Sequence, residues 1–436
     1  RGCREWLPVR PIRCNLQFLT MPTPSLILVP ARFKTGKLYT PYATTSGGVV
    51  LGASGDFNVT RATTATRVNA SGLIEVVASG IPRLDYPLGG GCPALLVEPS
   101  GTNLALQSEN LATTWSAVNL LGFGSGSVLN TTATLDPYGT NVADFIVPNI
   151  SLNQHRIDQT TVSVSGSYTL SIFIKAAGYN FARLRLTGIG ATFNLASGTI
   201  SATDSGIVSS IQSYGNGWYR CIISKATATA NEIIRVNIQP TQSTADYTGD
   251  GISGIYVFGS QYELGTVATS YIRTTTASAT RNADNISLSG VVSGCIGQTE
   301  GTIYAEVDMQ RLILGSVFVL DVGGTGEYIA ITKLATGAFR VSIKKTSTSA
   351  VNIITTTTNA VGIYKLALGY KSGDYALYIN GVSRGTSTNS TDYPTGSLIQ
   401  TVVSNTNYGA LNDCLRTPVV LYTTRLTDAQ LQALTT

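Results

Sequence analysis

The sequence has little charge and almost no histidine. Asp, Glu, Lys and Arg make up 12% of its 436 residues, about half of the roughly 25% that is usual in soluble domains. A single histidine, His155, leaves most histidine-based metal and catalytic sites without enough members. We therefore expect His155 to be a hydrogen-bonded surface residue. The net charge of +5 is mild and no Lys/Arg run is present, which argues against nucleic acid as a partner.

Long apolar runs are also missing. The best candidate, residues 25–31, contains Pro30 and falls far short of the roughly 20 residues that cross a bilayer. The first 20 residues carry four Arg but no apolar stretch with a small-residue cleavage site. We therefore expect neither membrane insertion nor a secretory signal. This basic segment precedes Met21 and is either a flexible end or an arm that anchors the chain to a larger assembly.

None of the six cysteines belongs to a C-x-x-C pair. That spacing excludes zinc ribbons and thioredoxin-type redox sites. Disulfides remain allowed, and Cys295 could meet Cys414 within one domain. A chain of this size does not depend on disulfides for stability, so we favour reduced, buried thiols.

Residues that favour strands and turns are abundant instead. The chain has 58 Thr, 21 Tyr and 45 Gly, and 43% of its residues are hydrophobic. Thr, Tyr, Val and Ile favour pleated strands and Gly favours turns, so the composition predicts an all-β protein. The length predicts two or three domains.

Alternation of apolar and polar residues divides the chain into three regions. It is strong in residues 101–285, for example in Tyr168–Lys175 and in Ala182–Leu186, and strands at regular spacing predict an antiparallel β-sandwich of the jelly-roll type. Residues 286–436 repeat the pattern, with a hairpin turn at Asn380-Gly381. Residues 1–100 are rich in Pro and Gly, and we expect an anchoring and oligomerisation segment there.

The last residues change period. Thr427 and Gln430 stand at the spacing of a capping box, and Leu426 and Leu431 occupy the positions of a hydrophobic staple. The sequence therefore predicts one short C-terminal helix packed on a β domain.

Several motifs resemble known protein families. The cassette formed by Phe57–Val68, Gly72–Glu75, Pro82–Tyr86, Leu95–Pro99 and Thr102–Leu104 resembles one that recurs in structural proteins of tailed bacteriophages. The middle region is similar to the carbohydrate-binding-module-like sandwich that commonly follows it, in Asn216–Arg220, Tyr256–Leu264 and Ala268–Ile272. The end of the chain is similar to a laminin-G/concanavalin-A-like domain, in Ala376–Gly381 and Leu421–Leu434.

The resemblance implies a non-enzymatic virion protein. Members of this family are fibres, spikes or tail appendages, often homotrimers, that are assembled in the host cytoplasm and meet host-surface polysaccharide at the virion surface. It implies attachment to other virion proteins through residues 1–100, and no cofactor. One alternative is a secreted bacterial glycan-binding adhesin, which the missing signal disfavours. The other is a tail-spike polysaccharide depolymerase, which would need a pair of carboxylates that we cannot place.

Three aromatic residues are candidates for contact with a sugar. Trp218 and Tyr219 stand in the Asn216–Arg220 motif, and Trp115 follows a helix-like turn. An aromatic ring offers a flat apolar platform to a sugar. The alternative is a core or interface role, which we favour for Trp218 because the strand it begins is apolar on both faces, and for Trp115 as a cap over the sandwich.

We expect no metal site and no catalytic residue. The acidic and amide residues that could bind a cation are scattered and no D-x-D-x-D-G loop is present, so we read them as solvated turn residues; they are Asp321, Glu327, Asp374, Asp392, Asp246, Asp250 and Asn231. No G-x-S-x-G elbow accompanies His155.

The apolar runs of the N-terminal segment need partners. Leu26–Val29 and Leu95–Val97 would form exposed edges if left bare. We expect neighbouring subunits or a virion protein to pair with them, while residues 301–436 face outward. A fragment without residues 1–99 should then be soluble and monomeric.

Overall fold

The computed structural model describes residues 21–29, 33–39, 42–43, 56–121, 134–162, 164–228, 231–290, 294–324, 326–345, 351–354, 358–394, 398–404, 408, 411, 413–416 and 418–436. Within them the chain is all-β and antiparallel, which confirms the predicted fold class. The basic segment 1–20, with Cys3 and Cys14, lies outside the described residues. No helix in the described ranges has the length and apolar character needed to cross a membrane.

The first nine strands lie in the N-terminal region. They are β1 Leu26–Leu28, β2 Phe33–Lys34, β3 Lys37–Leu38, β4 Tyr42–Ala43, β5 Phe57–Thr60, β6 Ala65–Val68, β7 Ile74–Val77, β8 Arg83–Asp85 and β9 Ala94–Val97.

Fifteen strands and a 3-10 turn, Leu111–Thr113, follow in the middle region. The strands are β10 Gly101–Asn103, β11 Ser116–Val118, β12 Asp144–Ile146, β13 Leu152–Asn153, β14 His155–Thr160, β15 Gly166–Ala177, β16 Phe181–Leu186, β17 Ile189–Asn194, β18 Thr199–Thr203, β19 Ile207–Ser213, β20 Trp218–Ala228, β21 Ile233–Gln239, β22 Tyr247–Thr248, β23 Gly254–Leu264 and β24 Ala279–Arg281.

The C-terminal region contains twelve strands and helix α1, Asp428–Thr435. The strands are β25 Asn285–Ser289, β26 Glu300–Met309, β27 Gly315–Asp321, β28 Tyr328–Lys333, β29 Phe339–Lys344, β30 Val351–Ile354, β31 Gly362–Lys371, β32 Tyr375–Ile379, β33 Val382–Ser387, β34 Gln400–Ser404, β35 Asp413–Leu415 and β36 Val419–Tyr422.

The middle strands form a two-layer sandwich. One sheet has six strands in the order β11-β14-β21-β16-β17-β18, and the other has five in the order β12-β23-β15-β20-β19. Residues of the longer strands point inward and pack in one apolar core that includes Ile157, Leu184 and Val236. The intervening residues of these strands lie on the opposite side of their sheet, because successive side chains of a strand alternate between its two faces.

The second sandwich combines the two ends of the chain. Its sheets have the orders β33-β32-β31-β26-β35-β9-β8, with β36, β1 and β4 joined beside β26, and β2-β3-β5-β25-β34-β27-β28-β29-β30. The core between them contains residues from both ends of the sequence, among them Leu26, Phe57, Leu95 and Leu368. The middle sandwich is therefore inserted between two parts of another sandwich.

This pairing differs from the expectation for the N-terminal segment. Leu26 pairs with Leu421 and Leu96 pairs with Cys414 of the same chain, not with neighbouring subunits or a virion protein as predicted from the sequence. Sequence alternation shows that a strand needs a partner but does not show which strand supplies it, because pairs so distant in sequence leave no local signal.

The C-terminal helix forms where the sequence predicted it. Thr427 Oγ1 accepts a hydrogen bond from the Gln430 backbone N–H, and the Gln430 side chain accepts one from the Thr427 N–H, so the capping box is complete. Leu426 and Leu431 are buried together beneath the helix. Asn380 and Gly381 have φ values of 48° and 75°, as a two-residue hairpin turn requires.

Two of the cysteines that the structure describes match the expectation of reduced, buried thiols. Cys221 and Cys414 are buried free thiols, so the Cys295–Cys414 disulfide that the sequence allowed is not formed. Burial raises the pKa of the Cys221 thiol, and it therefore stays protonated and unreactive.

A buried ionic cluster joins the N-terminal segment to both sandwiches. Arg83 donates to Glu98 Oε2 at 2.8 Å and also pairs with Asp284, and all three side chains are almost fully buried. Glu98 further accepts from the backbone N–H and the hydroxyl of Ser270, at 2.9 and 2.6 Å. Arg61 donates to Asp284 at 2.8 Å. Arg61, Arg83 and Glu98 of this junction come from the segments Phe57–Val68, Pro82–Tyr86 and Leu95–Pro99, and each buried charge has a partner of opposite sign.

Candidate functional site

The tryptophans proposed for sugar contact are buried. Trp218 is 2% exposed and Trp115 is 4% exposed, and their Nε1 groups donate to the backbone carbonyls of Leu135 and Leu106 at 2.8 and 3.3 Å. Neither ring offers a face to a sugar, so the structure corrects their candidacy and gives both the core role weighed as the alternative. Tyr219 is partly buried against the core of the middle sandwich.

His155 is buried, contrary to the surface position expected from the sequence. Its Nδ1 and Nε2 lie 2.6 and 2.9 Å from the carbonyl oxygens of Asn119 and Tyr247. The ring thus links the segment after β11 to strand β22.

The acidic residues weighed as cation ligands do not converge where the structure describes them. Among the described residues, no group of three or more His, Cys, Asp or Glu side chains is close enough to hold a metal ion. The absence of a metal site remains a prediction.

Four arginines share the outer side of the six-stranded sheet. They are Arg156 on β14, Arg183 and Arg185 on β16, and Arg235 on β21, and we call this surface the arginine face. In the strand register Arg156 and Arg183 flank Asn237, and Arg235 lies directly opposite Arg185. The residues between them in sequence, such as Leu184 and Val236, are buried in the core, so strand alternation places the guanidinium groups on the solvent side.

Asp158 holds two of these arginines. Arg235 donates to both of its carboxylate oxygens, from Nε at 2.6 Å and from Nη2 at 3.0 Å, and Arg156 Nε donates at 3.1 Å. The three side chains are 16% to 22% exposed. Such bidentate contact fixes the plane of the Arg235 guanidinium.

Asp204 holds the third arginine. Arg183 Nη2 donates to Asp204 Oδ2 at 2.5 Å, and its Nη1 donates to Thr192 Oγ1 at 3.0 Å. The Gly190 backbone N–H donates to the same carboxylate at 2.8 Å. A Cβ at position 190 would lie 1.8 Å from the carbonyl oxygen of Leu184, so only glycine fits at this point of the face.

Arg185 differs from the other three because it has no acidic partner. Its Nε and Nη2 donate to the carbonyl oxygen of Gly188 at 3.0 and 2.5 Å, and no carboxylate of the described chain lies within ion-pair distance of it. Thr187 and Gly188 have φ values of 36° and 96°, and this tight turn brings the carbonyl back to the guanidinium. Burial, and then the charges of Arg235 and Arg183, lower the pKa of Arg185.

Polar side chains continue the face between the arginines. Asn237, Gln239 and Thr192 are buried on this outer side, at 4%, 4% and 0% exposure, although outward positions of a sheet are usually solvated. Asn237 Oδ1 has no hydrogen-bond partner among the described residues. The face is thus a rigid polar layer whose four guanidinium charges outnumber the carboxylate charges of Asp158 and Asp204 by two.

Sequence reasoning missed this surface although its signal was present. The Ala182–Leu186 alternation predicts a strand and places its two arginines on the polar side. Their meeting with Arg156 and Arg235 depends on the pairing of β16 with β21 and of β21 with β14, which the sequence does not specify.

Comparisons with known proteins give weak likenesses. No protein-family model and no curated protein matches the chain. Among solved structures, the chain is similar to the CBM40 of the Ruminococcus gnavus IT-sialidase, with TM-score 0.29 and 15% identity, covering 33% of this chain and 87% of that one. It is also similar to domain 4 of AbnA, a GH43 extracellular arabinanase from Geobacillus stearothermophilus, solved with arabinotriose (TM-score 0.30, 16% identity, 40% and 84% covered).

A third solved structure covers more of the chain. It is a putative carbohydrate binding protein from Bacteroides ovatus, with TM-score 0.25, 12% identity and coverage of 66% of this chain and 80% of that one. Likenesses of this extent leave the function to be argued from the residues of the chain itself.

Proposed function

We propose that the protein is a non-enzymatic virion component of a tailed bacteriophage and that it binds host-surface polysaccharide. It would form a fibre, a spike or a tail appendage. The arginine face is the observation that supports glycan binding. Sugars present many hydroxyls around a compact ring, and the face offers fixed guanidinium donors beside amide and hydroxyl groups. Because Arg183 and Arg235 are already held by Asp204 and Asp158, little side-chain entropy is lost when a ligand binds.

A shallow face of this kind binds one glycan weakly. Repetition of the face in an oligomer, which we expect to be a homotrimer, supplies avidity that a single copy lacks. Attachment of the N-terminal segment to other virion proteins would present the copies together at the virion surface. The order of the sequence motifs supports this location at the virion surface.

Glycan binding is tested with the full chain on an array of bacterial surface polysaccharides, followed by titration calorimetry of each ligand found. We expect binding that is weakened by Arg183→Gln and kept by Arg416→Gln. Arg416 is a suitable control because it is 27% exposed in the C-terminal region, where it pairs with Glu306 and Asp308. Failure to bind any polysaccharide, or equal weakening by the two variants, would refute the assignment to the arginine face.

The location on the virion and the lack of catalysis are tested separately. Antibodies against the chain should label intact phage particles in electron micrographs, and labelling of bacterial cell surfaces without phage would favour the secreted adhesin instead. Incubation with a bound polysaccharide should release no new reducing ends. Release that disappears on changing a single Asp or Glu to Ala would establish a depolymerase.

A further inference from the structure

We propose that the arginine face selects acidic glycans and that Arg185 binds the carboxylate of the sugar. This inference rests on the glycan binding proposed above and names the class of ligand. It is carried by the charge balance of the face and by Arg185, which has no acidic partner and keeps N–H donors for a ligand.

The charge balance favours an anionic ligand. Arg156 and Arg235 share one carboxylate and Arg183 has another, so the ion pairs of the face leave two positive charges in excess. Half-buried guanidinium groups lose hydration when a ligand covers them. A neutral glycan would leave that charge uncompensated, whereas a carboxylate compensates it and forms charge-assisted hydrogen bonds.

Arg185 is the arginine that remains available. The carbonyl of Gly188 holds its Nε and Nη2, while its Nη1 makes no hydrogen bond to any described residue. The side chain is therefore oriented in advance and still has donors for a ligand. A guanidinium has five N–H donors in one plane, which suits a planar carboxylate.

The neighbours of Arg185 set the charge that a ligand meets there. On β17 it lies opposite Gly190, whose backbone N–H donates to Asp204. On β21 it lies opposite Arg235, which is paired with Asp158 and whose positive charge raises the local potential. A sugar carboxylate bound by Arg185 would therefore also be stabilised by the charge of Arg235.

The same two carboxylates argue against a nucleic-acid ligand. Asp158 and Asp204 lie on the face itself, and a chain of phosphates that crossed it would be repelled at both positions. A glycan with one carboxylate per repeat can place its charge at Arg185 and its hydroxyls near the acidic side chains, which accept hydrogen bonds.

The test compares ligands that differ only in the carboxylate. Calorimetry with the full chain would use oligogalacturonate and sialyllactose, each before and after chemical reduction of its carboxyl groups to alcohols. The variant is Arg185→Gln and the matched control is Arg416→Gln, each checked for folding by circular dichroism and thermal unfolding. A DNA duplex serves as competitor.

We expect at least one acidic ligand to bind roughly ten- to a hundred-fold more tightly than its neutral counterpart, since a hydrogen bond to a charged group contributes about that much. Arg185→Gln should abolish the preference and Arg416→Gln should keep it. Equal binding of acidic and neutral ligands would overturn the inference while leaving glycan binding intact. Tighter binding of DNA than of the carboxylate ligands would also overturn it. Absence of binding to every glycan would refute the proposed function itself.

Discussion

Asp144 gives the most direct test of the energetics of the middle sandwich. It begins strand β12, is 1% exposed, and its Oδ2 accepts a hydrogen bond from the Leu111 backbone N–H at 2.8 Å. Its Oδ1 has no hydrogen-bond partner among the described residues. Burial raises the pKa of Asp144 from 3.8 to about 7, although the hydrogen bond from Leu111 lowers it in part.

The raised pKa sets the direction of the pH dependence. Between the unfolded pKa of 3.8 and the folded pKa of about 7, the folded state binds more protons than the unfolded state, so stability falls as pH rises through this window. With about 1.4 kcal/mol for each unit, the linkage relation predicts that Asp144 lowers the free energy of unfolding by about 2.5 kcal/mol between pH 5 and pH 8.

The assay is urea unfolding at pH 5 and pH 8, followed by the fluorescence of Trp115 and Trp218 in the same sandwich. Asp144→Asn keeps an acceptor for Leu111 and removes the ionisation, so other titrating groups cancel when the variant is compared with the wild type. We expect the variant to lose less stability than the wild type over this interval, by about 2.5 kcal/mol. An identical loss in both proteins would refute the reasoning.

Two further predictions concern the connection between the two ends of the chain. Burial alone would raise the pKa of Glu98, but the guanidinium groups of Arg281, Arg83 and Arg311 hold it well below its usual range. Glu98→Gln should therefore lower the free energy of unfolding in urea by about 3–5 kcal/mol, because it leaves buried charges unpaired. The matched change Glu75→Gln, at an exposed pair with Arg67, should lower it by less than about 1 kcal/mol, and equal losses would contradict the role of the buried cluster. Deletion of residues 1–99 should give an insoluble or unfolded C-terminal region, because it removes strands β1, β5 and β9 from the core. A soluble fragment with native circular dichroism and gel-filtration behaviour would show that those strands are dispensable.

Local signals were sufficient for the elements of the fold. The all-β class follows from alternation, and the cap at Thr427 and the turn at Asn380-Gly381 follow from short motifs whose chemistry acts over a few residues. Each of these features depends on residues that are neighbours in sequence, so a single sequence is enough to predict it.

Pairings between distant strands could not be predicted in this way. The partner of Leu26 is Leu421, and the arginine face depends on the register of β14, β21 and β16. For Trp218, an exposed platform and a core residue have the same sequence signature, and only its burial in the fold separates them. Long-range pairing and burial are properties of the whole chain, which no short segment encodes.

The insertion of one sandwich within another has a consequence for synthesis. Strand β1 is completed by β36, near the far end of the described chain, so the outer sandwich cannot close before residue 422 has left the ribosome. The middle sandwich pairs only within residues 101–281 and can fold while the remainder is still being made, since domains generally fold as units. Until then β1, β5 and β9 lack their partner strands β36, β25 and β35. Closing the long loop between β1 and β36 is slow, because chain entropy must be lost before the contacts form. A folded middle sandwich shortens the effective separation of the N-terminal and C-terminal strands that have to meet.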